Sequence, residues 1–154
     1  MTTRPTFLRA PVLAAVATLL LCAAAPAQAD DAALLAAAAK EKGAVVTPSG
    51  LVFQSLKAGT GASPKASDVV KVNYRGTLAN GKEFDASAKH GGPASFPLDR
   101  VIPCWTEGVQ KLKVGGKAKL TCPSATAYGA RGAGGVIPPD ATLQFEVELV
   151  GIGG

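Results

Sequence analysis

The sequence predicts an α+β fold, an antiparallel sheet with one short amphipathic helix against its apolar face. Three observations carry that expectation. Residues 142–149 alternate with strict period two, which places Leu143, Phe145, Val147 and Leu149 on one face of a strand. Past residue 50 a single stretch has helical spacing: Pro103 suits a first turn, and Trp105, Val109 and Leu112 follow at i, i+4 and i+7. Asn80-Gly81 supplies the tight turn that lets one strand reverse into the next.

The N-terminal residues 1–29 read as a cleaved secretory signal peptide. Arg4 and Arg9 give a positive start, Val12 to Ala25 is almost wholly apolar, and Ala27-Gln28-Ala29 is an A-x-A cleavage pattern ahead of Asp30-Asp31. The apolar run is shorter than the roughly 20 residues a membrane span needs. Leu21 stands where a lipoprotein signal needs a small residue before Cys22. Cleavage between Ala29 and Asp30, and a periplasmic or secreted product free of the membrane, are therefore expected.

Residues 30–42 predict a short helix, with Asp30 and Asp31 at its positive end, Lys40 and Lys42 at its negative end, and Gly43 as the stop. This leader, residues 30–46, is too short to fold alone. The main domain is expected over residues 47–154. Within it Leu51–Leu56, Val69–Arg75, Lys82–Phe84 and Lys117–Cys122 are strand candidates that precede the final strand at residues 142–149. Two long Gly/Pro-rich loops, residues 86–95 and 127–141, lie between them and are natural places for function.

Composition excludes several classes of function. The formal charge is +5, and the signal removes two of the 16 basic residues and none of the 11 acidic ones. A mildly basic domain with no basic run does not argue for nucleic acid. Lys111, Lys113, Lys117 and Lys119, spaced by twos around Gly115-Gly116, read as the solvated face of a hairpin. Of three cysteines, Cys104 and Cys122 remain after cleavage. An even pair in an oxidising compartment reads as a disulfide, with two buried free thiols as the alternative. No Cys-x-x-Cys occurs, and His90 is the only histidine, so neither redox catalysis nor a metal site is expected. No Ser-His-Asp set has support, and Gly129 to Gly135 lacks the Gly-Lys-Ser/Thr ending of a phosphate loop.

What remains is the placement of scarce aromatic residues. There are five Phe, two Tyr and one Trp, and Phe7 lies in the signal. Phe84 is followed by Asp85, Tyr128 by Gly129, and Trp105 follows Val101-Ile102-Pro103-Cys104. Aromatics carry the largest apolar area for burial. Placing them beside acids, glycines and prolines suggests an aromatic-walled pocket with a few polar tips.

These residues fall in motifs that resemble one family. Val72-Asn73-Tyr74-Arg75-Gly76, Asn80-Gly81-Lys82-Glu83-Phe84-Asp85 and Val101 to Gly108 are followed by Ala127-Tyr128-Gly129, Ile137 to Leu143 and Phe145 to Leu149. In this order they are similar to the FKBP-type peptidyl-prolyl cis-trans isomerases, over about residues 47–152. The small exported bacterial members and the catalytic domain of the macrophage-infectivity-potentiator type are the most alike. The resemblance implies a five-stranded antiparallel sheet curling around the short helix. It implies Trp105 as a pocket floor, Tyr74, Phe84 and Phe145 as walls, Val101 and Ile102 as a rim, and the Ile137 loop as a flap. Tyr74, Asp85 and Tyr128 are the implied catalytic groups, with the Ile102 backbone and the Tyr128 hydroxyl binding substrate carbonyls. Phe96 lies close by in the same core.

The chain departs from the family pattern at Ala94, where many members carry an aromatic, and at His90, where an Arg often stands beside the aspartate. Ala133-Gly134 makes a smaller flap, and Cys104 replaces a common glycine directly beneath the floor.

The implied activity is rotation about X-Pro bonds in exported proteins. No bond breaks, so no cofactor or metal is required. Implied partners are proline-containing polypeptide clients, with macrolide inhibitors as further pocket ligands. A proline-segment binding module, or a holdase chaperone with little turnover, is the alternative. Relatives of the infectivity-potentiator type carry a long helical dimerisation region ahead of this domain. With only residues 30–43 in that place, a monomer is expected.

Overall fold

The computed structural model of the chain describes residues 26–153. Residues 1–25 of the expected signal peptide lie outside the described residues. Helix α1 spans Pro26–Ala39, so it begins on the signal side of the expected cleavage point and ends three residues before the expected Lys42. Its end is set by backbone bonding. Lys40 N–H reaches Ala37 C=O at 3.1 Å and Glu41 N–H reaches Ala38 C=O at 3.2 Å, the tighter bonding of a closing turn. Among the described residues no helix is long and apolar enough to cross a membrane.

Among the described residues seven strands follow, not five: β1 Ala44–Val46, β2 Val52–Lys57, β3 Val69–Leu78, β4 Glu83–Ala86, β5 Ala94–Pro97, β6 Lys117–Cys122 and β7 Leu143–Ile152. Helix α2, Pro103–Val109, lies between β5 and β6. The sheet is antiparallel in the order β1-β2-β6-β7-β3-β4, with β5 also paired to β3. The two additional strands have physical reasons for being hard to see. β1 is three residues long and depends on β2 for pairing, Val46 opposite Val52. β5 ends in Pro97, which cannot donate to a ladder, and it pairs only with the first half of β3. β4 pairs with the second half, so the two strands share one edge of β3.

The final strand follows its alternation. Leu143, Phe145, Val147 and Leu149 are all buried, and the residues between them are partly open. With Leu120, Val70, Val72 and Leu51 they form the core that α2 covers. The helix comes close because it has no side chain at Gly108. A Cβ there would stand 2.8 Å from both Leu120 methyl carbons. The expected lysine hairpin has only one strand arm, β6, because residues 110–116 turn out of α2. Lys117 and Lys119 pair there with Glu146 and Glu41.

On the other face of the sheet, α1 packs against β1, β2 and β6. Val52 and Thr121 are opposite each other in register on that face. They are 3% and 1% exposed, so the helix covers this part of the face, while Gln144, Glu146 and Glu148 of β7 stay partly open on it.

Candidate active site

The end of α2 that begins at Pro103 opens into a cavity of about 330 Å³. Trp105 forms its floor at 5% exposure. Three rings meet the indole edge-on: Tyr74 at 5.3 Å between centroids, Phe96 at 5.6 Å and Phe145 at 5.3 Å. Phe84 stands edge-on to Phe145 at 5.5 Å and completes the wall. Edge-to-face pairs at these distances contribute about 0.5–1.5 kcal/mol each beyond area burial, so the wall is a stiff cluster. The indole Nε1 is buried with no hydrogen-bond partner among the described residues.

The disulfide between Cys104 and Cys122 lies beneath this floor, with both residues fully buried. It ties the first turn of α2 to the last residue of β6.

Phe84 and Asp85 are neighbours in β4, and in a regular strand their side chains would leave opposite faces. Both line the cavity. The register explains how: Thr77 pairs with Glu83 but Gly76 with Asp85, so Phe84 is an extra residue in a bulge. A bulge re-aims side chains next to a site in this way. Gly76 makes room for the result, since a Cβ there would stand 2.5 Å from Phe84 Cζ and 2.9 Å from Phe145 Cε1.

The polar groups gather around Asp85. Tyr74 Oη donates to Asp85 Oδ2 at 2.8 Å, and the Ala86 N–H donates to Oδ1 at 2.9 Å. His90 Nε2 lies 2.9 Å from the same Oδ1. Burial by itself pushes the Asp85 carboxyl up, but the hydrogen bonds from Tyr74, His90 and Ala86 outweigh it and hold the group below the usual carboxylate range. Burial, reinforced by the Asp85 carboxylate, pushes the Tyr74 hydroxyl up to about 12. Burial and the Asp85 charge also raise Tyr128. At neutral pH the site therefore holds one carboxylate and two protonated phenols. The turn Ser87–His90 that carries the imidazole is fixed from below, because Ser87 Oγ accepts the Tyr74 N–H at 3.1 Å.

The rim is anchored at Leu98, whose N–H bonds Asp68 C=O at 3.0 Å and whose C=O accepts the Thr106 hydroxyl at 2.6 Å. Val101 and Ile102 follow. The Ile102 carbonyl caps the helix by accepting from Trp105 and Thr106, while among the described residues no backbone carbonyl engages the Ile102 N–H. Tyr128 lines the same cavity at 40% exposure, with no side-chain hydrogen bond among the described residues. Two hydrogen-bond donors, the Ile102 N–H and the Tyr128 hydroxyl, thus stand beside an apolar floor.

Of the residues singled out from sequence, Tyr74, Phe84, Asp85, Val101, Ile102, Trp105, Tyr128 and Phe145 come together around this cavity. Ile137 does not: it is 7% exposed, packed in the core, and lines a neighbouring cavity under the flap. Ala94 pairs with Val72 on β5 and is not part of the lining. Two lining residues, Phe96 and Arg100, were not among the expected site residues. Arg100 directly precedes Val101, which was the available signal. Among the described residues no group of three His, Cys, Asp or Glu side chains is arranged to hold a metal.

Comparison with known proteins gives one consistent result. The profile of the family described as FKBP-type peptidyl-prolyl cis-trans isomerase matches residues 61–150. The FKBP-type peptidyl-prolyl cis-trans isomerase FkpA of Aeromonas hydrophila is 57% identical over 113 residues, 73% of this chain and 42% of that protein. FkpA of Escherichia coli is 55% identical over the same length and shares. The chain thus spans about two fifths of the length of these curated relatives. The crystal structure of E. coli FkpA superposes with a TM-score of 0.79 at 50% identity, covering 82% of this chain and 59% of that one. A peptidyl-prolyl cis-trans isomerase structure from Pseudomonas syringae pv. tomato superposes with a TM-score of 0.76 at 37% identity, covering 85% of this chain and 98% of that one.

Proposed function

The chain belongs to the FKBP-type peptidyl-prolyl cis-trans isomerase family, and on that premise we propose that it accelerates cis-trans rotation about X-Pro bonds in polypeptide clients. The observation that carries the reading is the floor of Trp105 edged by three aromatic rings, with the few polar side chains of the lining gathered around Asp85.

The chemistry asks for little else. Peptide rotation meets a barrier of about 18–20 kcal/mol because the planar amide is resonance-stabilised. Uncatalysed X-Pro exchange takes tens to hundreds of seconds. The twisted amide has lost resonance and much of its dipole, so an apolar, ring-walled cavity favours it over the planar ground state. That difference, not tight binding as such, raises the rate. Proline's ring stacks on Trp105, and the Ile102 N–H and Tyr128 hydroxyl hold the flanking carbonyls. The Asp85 carboxylate, fixed by Tyr74 and His90, supplies a set electrostatic field beside the turning bond.

Tyr74, Asp85 and Tyr128 act as the catalytic groups in this reading. Phe84, Val101, Ile102, Trp105 and Phe145 form the binding surface. Ile137, packed in the core, supports the loop that carries Tyr128 rather than touching the client. The clients are exported proteins, since the A-x-A pattern at Ala27-Gln28-Ala29 directs cleavage before Asp30 and release to the periplasm or beyond. The mature protein works as a monomer.

A protease-free isomerisation assay on an Ala-Xaa-Pro peptide tests the proposal. Folded wild-type protein should accelerate exchange, and Asp85→Ala or Tyr128→Phe should lose rate while keeping peptide affinity. No acceleration by the folded wild type, with peptide still bound, would sink the enzyme reading in favour of a binding module or holdase. A stable dimer in sedimentation at micromolar concentration would defeat the monomer.

A further inference from the structure

The loop that carries Tyr128 is held at its far leg by a residue 111 positions away. Asp31 Oδ1, in α1, accepts the backbone N–H of Thr142 at 3.0 Å. Thr142 is 3% exposed and immediately precedes β7. A buried backbone donor at that point needs an acceptor, and the sheet ladder begins only at Leu143. Two residues earlier, Asp140 donates its N–H to the Gly129 carbonyl at 2.9 Å and closes the loop immediately after Tyr128. Asp140 is the one non-glycine among the described residues with positive φ, 57°. A conformation of this kind persists only where its surroundings hold it. Between these two bonds Ala141 is 6% exposed.

The same place is a three-way junction. Asp30 and Asp31 of α1, Leu78 to Asn80 of the β3–β4 turn, and Pro138 and Ala141 of the loop surround a small cavity of about 90 Å³. The other end of the helix is attached separately, by Lys119 on Glu41 and by the buried Ala38. Removing the Asp31 carboxylate therefore releases the loop leg without undocking the helix.

We propose that Asp31 is a positioning residue for the active site: by holding the Thr142 N–H it fixes the far leg of the Tyr128 loop, which makes the leader helix a working part of the catalytic unit. The path runs from Asp31 to Thr142, through Asp140 to Gly129, and so to Tyr128. The proposal rests on the isomerase reading above for its effect on rate. Its geometric part stands without it.

The test uses the exported mature chain with Asp31→Ala and Asp31→Asn, because Asn retains the accepting oxygen. Amide hydrogen exchange at Thr142 and Asp140 should quicken about tenfold or more in D31A. The value of kcat/KM on a proline peptide should fall about three- to fivefold, through kcat more than KM. D31N should restore both. Glu41→Ala, which cuts the helix's other anchor, should leave both unchanged. Wild-type exchange at Thr142 in D31A, or faster exchange with unaltered kcat/KM, would overturn the proposal. So would a loss of rate that D31N does not restore. If the wild type itself shows no turnover, the isomerase reading fails and the Tyr128 ring resonances decide the positioning role. D31A should shift them and D31N should not, and unshifted resonances in D31A would overturn it.

Discussion

The Tyr74 hydroxyl donates to the Asp85 carboxylate at 2.8 Å, and the two groups move each other's ionisation in opposite directions. Tyr74 is pushed up to about 12 by burial and by the carboxylate. Asp85 is held down against its own burial by the Tyr74, His90 and Ala86 donors. The paired strands β3 and β4 are thus also joined side chain to side chain at the wall of the cavity.

Cutting that bond should be visible in both the charge and the rate. In Tyr74→Phe, Asp85 loses one of three donors, and its carboxyl should titrate higher than in the wild type when followed by NMR. A hydrogen bond to a charged group contributes about 1.5–3 kcal/mol. We expect kcat/KM to fall about tenfold if roughly half of that acts on the transition state. An unmoved Asp85 titration would show that His90 and Ala86 suffice.

The same pair sets a pH window for stability. Asp85 has its folded value depressed, so its contribution is present in full above the ordinary carboxylate value of about 3.9 and is lost as pH falls through the folded value. Tyr74 has its folded value raised, so its contribution is present below about 10 and is lost as pH rises from there through about 12. Urea melts should therefore show stability declining on both limbs, with a plateau between. Tyr74→Phe should flatten the alkaline limb. An alkaline limb identical to the wild type in that variant would contradict the assignment.

The buried disulfide should be a major support for so small a domain. Closing a loop of 18 residues contributes about 3 kcal/mol in the chain-entropy model. The double variant Cys104→Ser, Cys122→Ser should melt on the order of 10 °C lower. A thiol count on denatured, unreduced mature protein should find none free, and two would refute the bridge.

Gly76 should tolerate no side chain. A Cβ placed 2.5 Å from Phe84 and 2.9 Å from Phe145 has to displace both rings. We expect Gly76→Ala to cost about 1–3 kcal/mol of stability through overpacking. Activity should fall further than the folded fraction does, because the displaced rings are the cavity wall. Calorimetry beside the peptide assay separates the two effects, and a stable variant with full activity would show the wall to be pliant.

Much of this molecule is legible along the chain. The period-two run at Leu143, Phe145, Val147 and Leu149 faces the core as expected, and Trp105, Val109 and Leu112 are all buried. The acid next to Phe84 and the glycine next to Tyr128 flagged the cavity, because neither placement suits plain packing. Three features were not legible. β1 and β5 are short and exist only because a longer strand pairs with them. Ile137 looks like a flap residue facing the site, but Ala133 and Ile137 bond each other on both sides, and the side chain turns into the core. Phe96 and Arg100 reach the cavity through β5 and the turn after it, an element the alternation did not reveal.

Local properties decided what the sequence could determine alone. Alternation, helical spacing, turn residues and the oddly placed aromatics each depend on a few neighbouring side chains, and together they specify an α+β domain with an aromatic pocket. Only the tertiary structure decided how Phe84 and Asp85 share one cavity, since a bulge is a mismatch between two strands and belongs to neither. It alone set the ionisation of Asp85, because Tyr74 arrives from another strand and His90 from a turn five residues on. It also brought Asp31 to Thr142. Such contacts depend on distances in space between residues far apart in the chain, and those exist only once the sheet has closed around α2.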